Sequence, residues 1–219
     1  MKLTFVGNGP SLTLDKLEAI EGHSVGCNRI HLLYDQTEWR PTFYVYTDRY
    51  ASPNWGQELH DHLTQGYPCF VRADIAYSIP DWWIYNRLRI LAECPQRPTG
   101  NNLPKEVTEP WEEGHPWHDV EVSNQNKLRL TVCTYGGALN TAAQLAYMMG
   151  YDELELIGCD GVYVPHADNH SSLLPGYADG SFGEKYDERM TGYVNHRHDY
   201  VHHLLEIELP ARGMRLIKK

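Results

Sequence analysis

The chain has 219 residues, of which 42% are hydrophobic and 11% aromatic, and its formal net charge is −10. This length suits one domain with a substantial core, and the acidic balance without a run of Lys or Arg argues against nonspecific binding to nucleic acid. No apolar stretch approaches the roughly 18 residues of a membrane span, and too few residues precede the first motif for a signal peptide. We therefore expect a cytoplasmic protein with no integral membrane segment. The five cysteines lack CxxC spacing, which predicts reduced thiols.

The first third of the chain alternates between short apolar runs and helical patterns. The spacing of Leu14, Leu17 and Ile20 predicts a helix, which Ser11 or Thr13 caps. The predicted strands share a short apolar run followed by a turn residue: 3–6, 24–27, 43–47 and 68–71. This alternation is typical of an α/β protein.

Residues 77–125 break the regular pattern, because prolines punctuate the segment and tryptophans are frequent in it. We interpret it as an insertion or lid that is packed by its aromatic side chains. A loop of this length without secondary structure is unusual, so we expect short helices within it.

Regular patterning returns in the last third of the chain. An Ala-rich helix is predicted over 138–149, with Gly150 as its C-terminal cap, and a second helix over about 192–209. The strands predicted here are 127–132, 154–160 and 214–217. Short apolar strands separated by helices predict a single domain over 1–219, with a doubly wound, mainly parallel sheet. In such sheets ligands bind beyond the carboxyl ends of the strands.

The most informative motif runs from Gly7 to Ser11, between the first strand and the first helix. Gly7 and Gly9 would let backbone N–H groups approach a ligand, and Asn8 and Ser11 would add side-chain hydrogen bonds. The third glycine of the dinucleotide-binding fingerprint is absent, since Leu12 stands there, and no Gly-Lys-Ser/Thr follows. A tight turn with a capping serine would give the same pattern.

Polar or glycine residues also follow the other predicted strands. Asn28 and Asp48 end two neighbouring strands, and Asp160 ends a later one after Gly158. The segment from Thr134 to Gly137, which includes Gly136, forms a second glycine-rich turn between a strand and a helix. Two such turns at one edge of a sheet favour a ligand that carries phosphate, although each residue alone also suits an ordinary turn.

Six of the twelve histidines lie in the C-terminal third. The pattern His166-x-Asp168-x-His170 resembles a set of metal ligands, but its spacing matches no established zinc signature, so we predict no metal site there. His196 and Asp199 fall on one face of the last helix, where Asp199 could orient His196 as a general base. A solvated polar helix face would show the same spacing.

Three segments resemble known families: Phe5 to Leu12, Gly26 to Arg29 and Gly150 to Asp160. They are similar to the bacterial CMP-sialic-acid-dependent sialyltransferases. They are equally similar to a broader family related to archaeal 6-hydroxymethylpterin pyrophosphokinase, to which the segment from Asn28 to Tyr44 is closer. The two families share a Rossmann-like fold. The match covers most of 1–50 and 131–163, loosely 190–219, and not 75–125.

The sialyltransferase resemblance implies roles for individual residues. Asn8, Gly9, Ser11 and Asn28 would contact the nucleotide. The turn over 134–137 would contact the sugar of the donor, and Tyr163 its phosphate. His196, which has an aromatic residue three positions before it, would be the base that deprotonates the acceptor hydroxyl. The sequence departs from the family at Asp48, where the family has asparagine, and in the second glycine-rich turn.

These observations lead to three hypotheses. The first is a glycosyltransferase that needs no cofactor and whose partners are a nucleotide-sugar donor, with CMP as the nucleotide, and a carbohydrate-type acceptor. The second is a pyrophosphokinase for a pterin-like substrate, in which Asp48 and Asp160 hold Mg²⁺. The third is a binding module without catalytic activity. The sequence leaves open whether the chain forms a homo-oligomer.

Overall fold

The computed structural model describes residues 1–47, 55–79, 81, 87–93, 129–132, 137–165, 169–174 and 188–219. The strands in these ranges are β1 (Lys2–Val6), β2 (His23–Cys27), β3 (Phe43–Tyr46), β4 (Cys69–Arg72), β5 (Leu88–Glu93), β6 (Arg129–Val132), β7 (Glu153–Ile157) and β8 (Arg215–Lys218). The helices are α1 (Leu14–Glu18), α2 (Trp55–Thr64), α3 (Ala73–Ala76), α4 (Ala138–Met148) and α5 (Glu188–Ala211), with a 3-10 helix at Ile30–Leu33.

The eight strands form one sheet in the order β6-β5-β4-β3-β2-β1-β7-β8, and every neighbouring pair is parallel. From β1 the chain adds strands on one side as far as β6, then crosses over to add β7 and β8 on the other side. The order therefore reverses between β1 and β7. This is the doubly wound α/β arrangement, as the sequence predicts, and it places the switch point beside the first glycine-rich turn.

Both faces of the sheet are buried at β3, which explains why every residue of this strand is apolar or aromatic. On β3, Phe43 and Val45 pack with α4 and α5 on one face. Tyr44 and Tyr46 pack on the other face, in the cluster that contains residues of α2 and α3. All four side chains are at most 4% exposed. A parallel sheet covered by helices on both sides produces this pattern.

The interpretation of 77–125 as an insertion is wrong for residues 88–93. Residues 88–93 form β5, which pairs with β4 and β6 inside the sheet. Leu88, Ile90 and Leu91 are at most 4% exposed. The prolines that flank this strand in the sequence obscured its short apolar run. The remainder of the predicted insertion lies outside the described residues, apart from 77–79, 81 and 87.

Several local predictions are confirmed. The Thr13 hydroxyl caps α1 by accepting the Lys16 N–H at 3.3 Å. Cys27, Cys69 and Cys159 are free thiols, whereas the other two cysteines lie outside the described residues. Among the helices of the described ranges, none is long and apolar enough to cross a bilayer.

Candidate functional site

Two glycine-containing turns cross at the carboxyl ends of β1 and β7. The Gly7 N–H donates to Ile157 O and the Gly9 N–H to Gly158 O, both at 2.9 Å. A Cβ atom on Gly7 would lie 2.3 Å from Gly158 O, and one on Gly9 would lie 2.1 Å from a carboxylate oxygen of Asp160. The glycines of the motif are therefore required by the close approach of the two backbones.

The amides of the first turn already have acceptors within the protein. Besides those of Gly7 and Gly9, the Ser11 N–H donates to Asp160 Oδ2 at 3.1 Å and the Leu12 N–H to Gly9 O at 3.1 Å. A carboxylate at the turn also disfavours a second anion beside it. The expectation that these amides bind a phosphate group therefore does not fit their observed partners.

Asn8 and Asn28 lie beside this crossing, just after the paired strands β1 and β2. The Asn8 side-chain nitrogen lies 3.5 Å from Cys27 O and 3.6 Å from Cys27 Sγ, and the Asn8 main-chain carbonyl accepts the Ser171 N–H at 2.9 Å. Asn28 has a φ of +49°, a left-handed conformation that is uncommon outside glycine. Its side-chain oxygen is buried and has no hydrogen-bond partner among the described residues. The edge of the sheet therefore carries a buried acceptor that no described residue satisfies, on a constrained backbone.

Helix α4 begins at the same edge of the sheet. Gly137 is its N-cap, with a φ of +82° and no side-chain capping bond, so the first N–H groups of the helix lack that partner. Thr47 follows β3 and, by alternation, faces the side of the sheet on which Phe43 and Val45 pack with α4. Thr47 is 3% exposed, and its hydroxyl has no hydrogen-bond partner in the described part of the chain. A polar group of a ligand would satisfy both features.

Two asparagine side chains fix the loop that follows β7. Asn195 of α5 accepts the Tyr163 N–H at 2.6 Å and donates to the Tyr163 carbonyl at 2.9 Å. Asn169 makes the same pair of bonds with Val164, at 2.6 and 3.1 Å. The Tyr163 backbone is thereby held against α5, and the Val164 backbone is held by Asn169.

Two histidines of α5 face this loop. The ring of His198 lies 5.3 Å from the ring of Tyr163, between centroids. His202 Nε2 lies 3.0 Å from where a Cβ on Gly161 would be. Burial lowers the pKa of His198 to about 4 and also lowers the pKa of His202, so both imidazoles are neutral at pH 7.

The predicted pair of His196 and Asp199 lies elsewhere on the helix. Both side chains are exposed, whereas Val201 and Leu205 form part of the buried stripe at 1% and 0% exposure. His196 and Asp199 therefore have the geometry of a solvated face. The structure brings His198 and His202, rather than His196, to the loop after β7.

Cys27 lies at this edge with a buried thiol group. Burial raises the pKa of Cys27 to about 12, against the opposing effect of a hydrogen bond from Asn8, so the thiol stays protonated. Within the described ranges, no group of three or more His, Cys, Asp or Glu side chains is arranged to hold a metal ion.

Five residues singled out in the sequence lie outside the described part of the chain: Asp48, Thr134, Gly136, His166 and Asp168. Their positions in the sequence still place Asp48 one residue after Thr47, and Thr134 and Gly136 between β6 and Gly137. Their roles stay predictions.

Sequence reasoning missed Thr47, Asn195 and His202. The sequence predicts Thr47 as the last residue of a strand, and nothing local indicates that its hydroxyl has no partner among the described residues. Asn195 and His202 share one face of α5 with His198, at spacings of three and four, and that spacing is a signal in the sequence. The burial of Val201 is compatible with either face of α5. The sequence alone therefore does not show whether the face of His202 or the face of His196 lies toward the loop.

The fold and this edge together define a doubly wound α/β protein with a candidate ligand site at the switch point of a parallel sheet. Comparison with protein-family models, curated proteins and solved structures finds no match. A function is therefore inferred from the side chains at the edge.

Proposed function

We propose that this protein is a transferase that binds a nucleotide-activated sugar at the carboxyl edge between β2 and β7. The resemblance of its sequence to sialyltransferases suggests CMP as the nucleotide. The nucleoside would lie across Asn8 and Asn28, and the acceptor on the side of the loop after β7. No metal is needed for this reaction.

The observation that carries the proposal is the buried side-chain oxygen of Asn28, which has no hydrogen-bond partner in the described part of the chain. A buried acceptor without a partner costs roughly 1–3 kcal/mol, so a ligand donor at this point gains affinity. In doubly wound sheets that bind dinucleotides, a side chain about 20 residues after the glycine turn accepts a ribose hydroxyl. Asn28 directly follows β2, 19 residues after Gly9, and its side-chain oxygen is a buried acceptor there.

The start of α4 supports a place for the anionic part of the donor. The N-terminal end of a helix carries a partial positive charge and free N–H groups, which favour phosphate or carboxylate. Gly137 provides no side-chain cap, and the Thr47 hydroxyl adds a buried donor on the same face of the sheet. This assignment moves the anion away from the first turn, where Asp160 already accepts the Ser11 N–H.

Transfer requires a base that takes the proton of the acceptor hydroxyl while the acceptor oxygen attacks the sugar and CMP leaves. The resemblance of the sequence to sialyltransferases suggests His196 for this role. The structure supports His202 as a second candidate, because it contacts Gly161 after β7 and its lowered pKa keeps the imidazole neutral.

Binding of CMP to an Asn28→Gly variant tests the proposal. Glycine adopts a positive φ without strain, so this variant keeps the backbone and removes only the carboxamide. We expect CMP to raise the melting temperature of the native protein equally with and without chelator, and Asn28→Gly to weaken CMP binding roughly five- to tenfold. Unchanged affinity in the variant would contradict the assignment of Asn28.

The other hypotheses give different results in the same assay. Stabilisation by ATP that requires Mg²⁺ and disappears with chelator would favour pyrophosphoryl transfer. Stabilisation by CMP without hydrolysis or transfer of CMP-linked sugars would favour a binding module. Two variants, His196→Ala and His202→Ala, identify the base. The base is the histidine whose variant binds CMP normally but loses transfer.

A further inference from the structure

Asn28 holds a conformation that its own side chain does not explain. Left-handed backbone is unfavourable for a residue other than glycine, although asparagine tolerates it better than most. The side-chain oxygen makes no bond to a described residue that would repay this cost. Such a conformation persists only where its surroundings enforce it.

The chain just after Asn28 is attached to helix α2 through one carboxylate. Glu58 Oε1 lies 3.3 Å from Arg29 Nε and 3.8 Å from His31 Nε2. The three side chains are largely buried, with exposures of 14%, 11% and 20% for Glu58, Arg29 and His31. Burial lowers the pKa of His31, against the opposing effect of Glu58, so Arg29 supplies the positive charge of this cluster at neutral pH. Screening by water is weak at such a buried pair.

Helix α2 is itself fixed against the sheet one turn further on. The hydroxyl of Tyr46, at the end of β3, hydrogen-bonds His62 Nδ1. The ring of Tyr44 stacks on the ring of His62 with centroids 4.1 Å apart, and His31 meets His62 edge to face at 4.9 Å. Burial lowers the pKa of His62 to about 3, so its imidazole stays neutral. The position of Glu58 therefore follows from that of β3.

The peptide before Asn28 is fixed from the opposite side. Cys27 is the last residue of β2 and pairs with Val45 of β3. Its carbonyl lies 3.5 Å from the Asn8 side-chain nitrogen. Asn28 thus joins two fixed segments. Before it lies the end of β2, which is held by β1 and β3, and after it lies a turn that is held by Glu58.

From this arrangement we infer that Glu58 is a positioning residue for the nucleotide site: through Arg29 and His31 it holds Asn28 in the left-handed conformation that presents its carboxamide at the edge of the sheet. The inference rests on the proposed function for its effect on ligand affinity. Its effect on the backbone of Asn28 does not depend on any ligand.

A double-mutant cycle with Glu58→Gln and Asn28→Gly tests the role in binding. We expect Glu58→Gln to weaken CMP binding about fivefold in the native background and to have no further effect on CMP affinity in the Asn28→Gly background. A merely structural role would give the same fold loss in both backgrounds, and that result would overturn the inference. Asp61→Asn is the matched control: this carboxylate lies on the same helix, is 52% exposed, and should leave CMP affinity unchanged.

The backbone itself gives a second readout without ligand. A positive φ brings the amide and α protons of one residue close together, so the NMR cross-peak between them at Asn28 should be strong in the native protein. Glu58→Gln should weaken it, and Asp61→Asn should not. An unchanged cross-peak in Glu58→Gln overturns the inference even if CMP does not bind, whereas a weakened cross-peak without CMP binding supports the positioning role and refutes only the choice of nucleotide.

Discussion

Replacing Gly158 with alanine tests whether the two turns at the switch point touch as closely as the structure indicates. Gly158 has a φ of +62°, and a Cβ there would lie 2.7 Å from Gly7 O and 3.0 Å from Leu12 Cβ. The first contact is with backbone, which cannot rotate away. Gly158→Ala therefore combines left-handed strain with a steric clash.

Gly22 provides the matched control, because it separates the two effects. Its φ is +85°, and a Cβ there would meet nothing within 4 Å. Left-handed strain costs about 1–2 kcal/mol, and the loss of chain entropy in the unfolded state offsets roughly 0.4–1 kcal/mol of it. We expect Gly22→Ala to lower the free energy of unfolding by about 1 kcal/mol.

Gly158→Ala carries the same strain and in addition overpacks a site bounded by backbone, which costs about 1–3 kcal/mol. We expect a total loss of about 3 kcal/mol. For a chain of this size roughly 2–4 °C in Tm corresponds to 1 kcal/mol, so Tm should fall about 6–12 °C for Gly158→Ala and about 2–4 °C for Gly22→Ala.

Urea unfolding followed by circular dichroism, together with thermal melts of both variants, measures these differences. Gly7→Ala adds a third arm, since its Cβ would lie 2.3 Å from Gly158 O and no positive φ is involved. Equal losses of stability in Gly158→Ala and Gly22→Ala would refute the close crossing of the turns. A Gly7→Ala variant as stable as the native protein would refute it independently.

Three further predictions concern stability and local order. Burial raises the pKa of Glu155, but hydrogen bonds from two lysines and a threonine lower it below 4.5 overall. Its stabilisation is therefore present above that pH and lost on acidification, so the native protein should lose more stability than Glu155→Gln between about pH 6 and about pH 3 in urea titrations. Asn195→Ala removes both bonds to the Tyr163 backbone, and hydrogen exchange at the Tyr163 amide should become faster while that at α4 does not. Tyr46→Phe leaves buried His62 Nδ1 without its hydrogen-bond partner and should cost about 1–3 kcal/mol in urea unfolding; no loss would show that the bond is absent.

The sequence predicts most strands and the long helices because their signals are local. The apolar runs at Leu3 to Val6 and Leu154 to Ile157 end at turn residues, and a buried parallel strand needs nothing more to be recognised. The strand at 88–93 was missed because neighbouring prolines dominate the pattern around it. Its apolar residues identify it as a strand only when its pairing with β4 and β6 is known.

For the candidate site, the sequence places polar residues at strand ends but does not determine their partners. It brings Asn8, Asn28 and Asp160 to one edge, because parallel strands that begin on one side of a sheet end on the other. It does not show that Asp160 accepts the Ser11 N–H, since 149 residues separate the two. It also does not show which histidine of α5 faces the β7 loop, because the choice between His196 and His202 depends on how the helix is rotated against the sheet.

By itself, the sequence determined the class of fold and the edge at which a ligand would bind, because hydrophobic periodicity and turn chemistry act over a few residues. Only the tertiary structure decided which hydrogen-bond partners the groups at that edge have. The amides of the first turn bond to the β7 turn, and the oxygen of Asn28 is left without a described partner. Both facts come from packing between distant segments, where close backbone approach and burial select the partners.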